Sequence, residues 1–312
     1  MDFLHDWVTG GLGFLESLQQ WRTPLAIFYF RLMTFLGDEE FYLLALPAVY
    51  WLFSKSVGRR LVYLLLLTTG INVALKNFFQ MPRPPVSLAL VDQGGFGLPS
   101  GHAQNSVVLW GYAAVHLRSW RHWVLPLALW LVASTSFSRL FLGVHYPADV
   151  ATGLVVGLFC LVGAVWAEPH LERWYGTLDT WYVAIFAIVL SVLVLIVQPT
   201  GGLPWPSEDA ASQAGLLSGV LIGLEIERRR VGFAVQGSLG QKIARYLLGV
   251  ALVLLAWGGL RAVFGLIDGG HLLFSALRIV RYAAIGFTVA WWAPAIFVRL
   301  GLAHKEEPST TT

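Results

Sequence analysis

Ten apolar runs, each bounded by charges or turn residues, constrain this chain more than any other feature. Their approximate limits are 23–37, 41–54, 60–78, 103–117, 123–141, 148–166, 181–198, 211–226, 245–264 and 276–299. A helical bilayer crossing takes about 20 apolar residues, so the first two are short and their helices are expected to extend into the flanks. Charged residues make up 12% of the chain and hydrophobic ones 56%, against about 25% charged in an average soluble domain. With a mean hydropathy of +0.65, the solvent for most of this surface is lipid. The fold class expected is therefore an all-α integral membrane protein, and the 14 Trp and 10 Tyr suit aromatic belts at its two interfaces.

Ahead of the first run, Leu4, Trp7, Val8, Leu12, Leu15 and Leu18 recur at helical spacing, with Asp2, His5, Asp6, Glu16 and Gln19 elsewhere on the wheel. Residues 1–22 are thus expected to form an amphipathic helix lying in the membrane plane. No Lys or Arg precedes Arg22, so the segment does not read as a signal peptide. With ten spans in place, loops alternate between two sides. One side receives Lys55, Arg59, Arg60, Arg118, Arg121, Arg173, Arg228, Arg229, Arg230, Lys242 and Arg245, with Arg299 and Lys305 in the tail. By the positive-inside rule that side, and both termini, are cytoplasmic. The net charge of +3 is modest, and no basic array with aromatic interleaving points to nucleic acid. Cys160 is the one cysteine, which leaves neither a disulfide framework nor a thiolate metal site.

Three segments carry chemistry: Lys76 to Pro84, Pro99-Ser100-Gly101-His102, and Ser138-Arg139 through His145 to Asp149. On the predicted spans, Lys76 and Arg83 follow span 3, His102 begins span 4, Arg139 ends span 5, and His145 and Asp149 begin span 6. All meet at the membrane face opposite the basic loops. A lone cation near hydrocarbon is costly. Three at one level make a site for a multiply charged anion, and guanidinium forks match phosphate oxygens. Pro82 and Pro84 stop span 3 and let Arg83 turn back toward the site. Ser100 and Gly101 precede a helix start, where free N–H groups favour an anion and a small residue lets backbone approach it. Pro147 favours a helix start between His145 and Asp149, which puts the carboxylate within reach of the ring. A carboxylate on one ring nitrogen leaves the other free to attack phosphorus. His102 is then the general acid for the leaving alkoxide. The expected scheme is a phosphohistidine formed on His145 and hydrolysed by water, with no cofactor and no metal.

The spacings Lys-x6-Arg-Pro, Pro-Ser-Gly-His and Ser-Arg-x5-His-x3-Asp resemble the type 2 phosphatidic-acid phosphatase superfamily, the lipid phosphate phosphatases. The resemblance covers residues 30–166 and implies a six-helix phosphatase core. In it Lys76, Arg83, Ser100, Gly101 and Arg139 bind phosphate, His102 is the acid, His145 the nucleophile and Asp149 its partner. The segment Thr34 to Tyr42 and the run Gly101 to Gln104 look like those of bacterial multi-span members. The domain plan is then 1–22 as the in-plane helix, 23–166 as the six-span core and 167–312 as a four-span extension. The partner expected is a phosphorylated lipid: phosphatidic acid, phosphatidylglycerol phosphate, undecaprenyl pyrophosphate or a sphingoid-base phosphate. The setting expected is a bacterial inner membrane with the site on the periplasmic side. A lipid phosphotransferase uses the same residues, and a lipid transporter or scramblase on the same fold is the reading from another class, against which the intact His102, His145 and Asp149 set weighs.

Other features are assigned more simply. Asp38, Glu39 and Glu40 read as a solvated turn at the mouth, with shaping of the headgroup's field as the alternative. Gly215, Gly219 and Gly223 form a small-residue stripe for close packing, within the chain or in a homodimer. Arg261, Arg278, Arg281, Asp268 and His271 read as snorkelling groups, with a second headgroup patch as the sharper alternative. Arg228 to Arg230 read as a topology signal.

Overall fold

The computed structural model describes residues 2–92, 94–117, 121–177, 179–198 and 204–306. Arg118, counted among the basic loop residues, lies outside them, as do residues 199–203 of the loop after span 7. The described residues are helical, with one isolated backbone bridge between Phe233 and Lys305. The helices are α1 (Asp2–Thr9), α2 (Leu12–Leu18), α3 (Pro24–Phe35), α4 (Glu39–Ala48), α5 (Lys55–Phe79), α6 (Gly101–His116), α7 (Arg121–Phe141), α8 (Pro147–Thr177), α9 (Thr180–Val197), α10 (Glu208–Ile226), α11 (Leu239–Phe264), α12 (His271–Phe287) and α13 (Ala293–Arg299). Among the described residues, six stretches are long and apolar enough to cross a membrane: Lys55–Phe79, His122–Phe141, Pro147–His170, Thr180–Val197, Leu239–Phe264 and His271–Arg299. The other four expected spans fall on α3, α4 and α6, which are shorter, and on α10, which carries Asp209 and Glu225. The protein is an all-α, multi-pass membrane protein.

The chain divides into two compact units, Met1–Leu43 with Leu61–Glu172, and Leu44–Arg60 with Arg173–Thr312. In the first, α7 packs on α3 and α6. Tyr29 and Ser134 share a hydrogen bond of 2.9 Å, and the Phe30 and Phe141 ring centroids lie 4.3 Å apart, the rings tilted by 36°. Glycines bring α8 against α6: methyl groups at Gly153 and Gly157 would lie 2.5 Å from the Ser100 carbonyl oxygen and 2.6 Å from that of Gln104. A buried polar ladder joins α5 to α6. Asn72 donates to the Pro99 carbonyl and to Gln104 Oε1, and Gln104 donates to Thr68. Each partner is satisfied, so the ladder fixes register where apolar contacts would allow sliding.

The N-terminal segment differs from the single helix expected. It breaks at Gly10-Gly11 into α1 and α2. A methyl group on Gly11 would lie 2.4 Å from Pro147 Cδ, so the break lets the chain pass over the start of α8. Val8, Leu15 and Leu18 are buried with Met81, Leu88, Leu98 and Tyr146. Arg22 donates to the carbonyls of Leu88 and Phe141, and Arg31 to that of Leu90.

In the second unit, α10 packs along α12 and α9. The small-residue stripe on α10 is used within the chain. Methyl groups at Gly215 and Gly219 would lie 2.3 Å from the Ile279 carbonyl oxygen and 2.1 Å from that of Ala283. Thr288–Trp292 is a π-helical turn, and Pro294, four residues after Ala290, has no N–H to give that carbonyl. Tyr50 reaches the Ala290 oxygen instead, at 3.4 Å, while Trp51 donates to Val289 at 3.0 Å. Two carboxylates unremarked in the sequence sit here almost fully buried. Glu225 accepts from Arg228, Arg229 and Thr180; Glu227 accepts from Lys55, Tyr50 and the Phe233 amide. Buried carboxylates must be paired, so Arg228, Arg229 and Lys55 have structural partners besides any role in topology.

Gly219→Ala should cost about 1–3 kcal/mol by overpacking, read as a lower melting midpoint in detergent. Gly163 has no neighbour within 4 Å of an added methyl, so Gly163→Ala should hold the midpoint or raise it, by about 0.5–1 kcal/mol of helix propensity.

Candidate active site

The site is assembled from helix ends of the first unit. α5 ends at Phe79, with Gln80 in left-handed backbone (φ 50°), and Lys76 lies in its last turn. Residues 80–85 turn back, and Arg83 is fixed by the carbonyls of Gly94 and Gly95 at 3.1 Å and of Val144 at 3.0 Å. α6 begins with Ser100 as N-cap and His102 in its first turn. α7 ends just past Arg139, and Gly143 makes the turn into α8 with φ 74°. A methyl there would also lie 2.2 Å from the Leu88 carbonyl oxygen. α8 begins at Pro147, as expected, with Asp149 in its first turn. The Ser100 amide donates to the Asp149 carbonyl at 2.9 Å, which ties the start of α6 to that of α8.

His145 and Asp149 are both buried. His145 Nδ1 lies 3.1 Å from Asp149 Oδ2, which also accepts from the Tyr146 amide at 2.9 Å. Arg83 Nη1 donates to His145 Nε2 at 3.2 Å. A guanidinium only donates, so Nε2 holds a lone pair and the ring proton is on Nδ1, facing the carboxylate. Burial lowers the His145 pKa well below the ordinary histidine value, and the charges of Arg83, Arg139, Lys76 and His102 lower it further. Burial also lowers the Arg83 pKa, against the raising charge of Asp149.

Arg139 is fully buried. One nitrogen, Nη1, donates to Thr34 on α3. Nε and Nη2 have no hydrogen-bond partner among the described residues, and neither has the buried Ser100 hydroxyl. Buried donors are normally paired, and these belong to two of the five residues the sequence assigned to phosphate. Gly101 has a packing role as well, since a methyl there would lie 3.2 Å from Asn72 Oδ1.

Asp38 corrects the sequence reading. It belongs to the turn before α4, and its Oδ1 lies 2.8 Å from His102 Nε2. The turn therefore reaches into the site rather than only facing solvent. Gly37 makes room for the imidazole: a methyl there would lie 2.5 Å from His102 Cδ2. Thr34 and Asp38 sit next to recognised motifs in space and far from them in sequence, and only the run Thr34 to Tyr42 hinted at them.

Comparison with known proteins agrees with this geometry. Residues 58–173 match the PAP2 superfamily, and residues 211–305 match the PAP2 superfamily phosphatase transmembrane extension. The chain is 28% identical over 229 residues to a probable sphingosine-1-phosphate phosphatase of Dictyostelium discoideum, covering 67% of this chain and 55% of that protein. It is 25% identical to a dihydrosphingosine 1-phosphate phosphatase of Saccharomyces cerevisiae, covering 66% and 55%. It is 26% identical to lipid phosphate phosphatase delta of Arabidopsis thaliana, covering 70% and 56%. The chain thus spans a little over half the length of these relatives. No solved structure matches. Residues 58–173 are thus a PAP2 superfamily domain, and residues 211–305 carry the transmembrane extension of that superfamily.

Proposed function

We propose that the protein is a lipid phosphate phosphatase that works through a phosphohistidine on His145. The observation that carries this is the tautomer fixed by Asp149 and Arg83, which leaves the lone pair of Nε2 beside a guanidinium and near buried, unpartnered donors. Nε2 attacks phosphorus, an N–P bond forms, and the bond from phosphorus to the lipid oxygen breaks. Asp149 balances the charge gained by the ring. His102, as an imidazolium whose Nε2–H faces Asp38, gives the leaving oxygen the proton on Nδ1 and becomes neutral. Water then attacks phosphorus, His102 takes its proton, and orthophosphate leaves with Nε2 restored. Arg139 Nε and Nη2, Ser100, Lys76 and the Gly101 amide hold the equatorial oxygens, and Arg83 moves its donor from Nε2 to the phosphoryl group.

The substrate is a lipid phosphomonoester, with sphingoid-base phosphates foremost because two of the relatives named above are phosphatases of that class. Residues 23–166 are the catalytic part and 167–312 the extension. The first 22 residues rest at the membrane interface with Trp7, Phe14 and Trp21 outward, all three being exposed. On the positive-inside rule the site faces away from the cytoplasm, the periplasmic side in a bacterial inner membrane.

Phosphate release from a sphingoid-base phosphate and from phosphatidic acid in detergent tests the reading. His145→Ala should reduce it to background, and Asp149→Asn by about 10³–10⁴-fold, as for the carboxylate of other catalytic triads. Release that survives His145→Ala overturns the mechanism. Radiolabelled phosphate should be trapped on the wild-type chain in acid-labile, base-stable form, and activity should persist in EDTA.

Asp38→Asn should lower kcat by up to about 10²-fold, within the share a general acid contributes, with KM little changed. An effect on KM alone would make Asp38 a substrate contact instead of the residue that positions His102.

The neutral state of His145 has a consequence for stability. As pH falls through about 6.5, the ordinary histidine value, the unfolded chain gains a proton at this residue and the folded protein does not. Stability therefore falls with pH, by up to about 1.4 kcal/mol per unit. The melting midpoint should drop between pH 7.5 and 5, and drop less in His145→Gln.

A further inference from the structure

The second unit holds a cleft that the chemistry above does not use. Its volume is about 390 Å³, and it lies where the end of α11 meets the first half of α12. Arg261, Arg278, Arg281, His271, Phe264 and Phe274 line it. Three arginines face one carboxylate, Glu208, so the lining carries an excess of positive charge. Asp268, grouped with them in the sequence, is not part of the lining.

Each polar group has a definite state. Arg278 pairs with Glu208 and lies 3.4 Å from Ser212 Oγ. His271 Nε2 is 2.9 Å from the Pro206 carbonyl, which only accepts, so this nitrogen carries the ring proton. Arg261 sits over the Trp257 ring at 5.7 Å. Arg281 lies over Tyr282 at 5.3 Å, and its Nε is buried with no hydrogen-bond partner among the described residues. A snorkelling arginine sends its head to water; Arg281 instead keeps a donor out of water beside the cleft.

We propose that this cleft binds the headgroup of an anionic phospholipid through its phosphate, separately from the phosphoryl-transfer site; three arginines against one carboxylate disfavour a headgroup that carries its own cation, such as choline. Guanidinium forks recognise a tetrahedral oxyanion through paired donors. The volume falls in the range of small-molecule sites, about 300–1,000 Å³, which is more than a bare phosphate ion fills. Phe264, Phe274 and Leu277 supply the apolar remainder, next to two helices long and apolar enough to lie among acyl chains. Arg281 and Arg261 hold the phosphate, and Arg278 is shared between it and Glu208.

Native mass spectrometry of the full chain, exchanged into phosphatidylglycerol or phosphatidylcholine, tests this. Wild type should retain the anionic lipid at least about tenfold better, the worth of one charged hydrogen bond. Arg278→Gln/Arg281→Gln should bring the two lipids to parity. Glu208→Gln removes the competing carboxylate and should raise retention of phosphatidylglycerol, a change of opposite sign that misfolding does not imitate. Millimolar inorganic phosphate should not displace the lipid; displacement would assign the cleft to free phosphate and overturn the lipid reading. Equal retention of both lipids by wild type, or a preference untouched by all these substitutions, would overturn the site itself.

Discussion

Arg139 is a fully buried guanidinium with two donor nitrogens that have no hydrogen-bond partner among the described residues. Burying an ion costs several kcal/mol unless its bonds are replaced, so the fold around it exists to hold a charge that packing alone would reject. α7 carries the residue to the end of its span, and Thr34 on α3 fixes one nitrogen. Burial, and after it the charges of Arg83, Arg139 and Lys76, keeps His145 neutral. A cation cluster and a neutral imidazole thus belong to one electrostatic arrangement. In the proposed mechanism, positive charge that receives an anion also helps keep a proton off the atom that attacks it.

Holding four helix ends at one level takes more than apolar packing, because lipid tails are as apolar as leucine and drive no association between helices. The first unit uses glycines, Gly153 and Gly157, to bring α8 down on α6, and a satisfied amide ladder through Asn72 and Gln104 to lock α5 to α6. The second unit uses the same two devices with different residues. Gly215 and Gly219 seat α12, and the buried Glu225 and Glu227 gather Arg228, Arg229, Lys55 and Tyr50. In both, close backbone approach and paired polar groups replace the hydrophobic effect.

The second unit also carries an unpartnered arginine donor. Arg281 Nε beside the cleft resembles the Arg139 donors in kind: it is buried with no hydrogen-bond partner among the described residues. The difference is what surrounds it. The first unit sets two histidine–carboxylate pairs, His145 with Asp149 and His102 with Asp38, among its cations, whereas the cleft at Arg281 has aromatic walls and a histidine bonded to a backbone carbonyl. On the readings proposed above, the first arrangement moves a phosphoryl group and the second only holds one.

The motif residues were legible because phosphoryl chemistry demands particular side chains at fixed spacing. Lys76, Arg83, Ser100, His102, Arg139, His145 and Asp149 lie at the helix ends where the apolar runs placed them. The spans of α5, α7, α8, α9 and α11 were equally legible, since a bilayer dictates their length and composition. Tertiary structure alone decided the rest. Asp38 read as a solvated turn until it lay against His102, because its partner is 64 residues away. The α10 glycine stripe could have faced a second copy, and the backbone of α12 filled it. Glu225 and Glu227 drew no assignment from the sequence, and only burial shows that each must be paired. Periodicity and motif spacing are local properties that a sequence displays, whereas which buried charge meets which partner depends on distances set only when the helices pack.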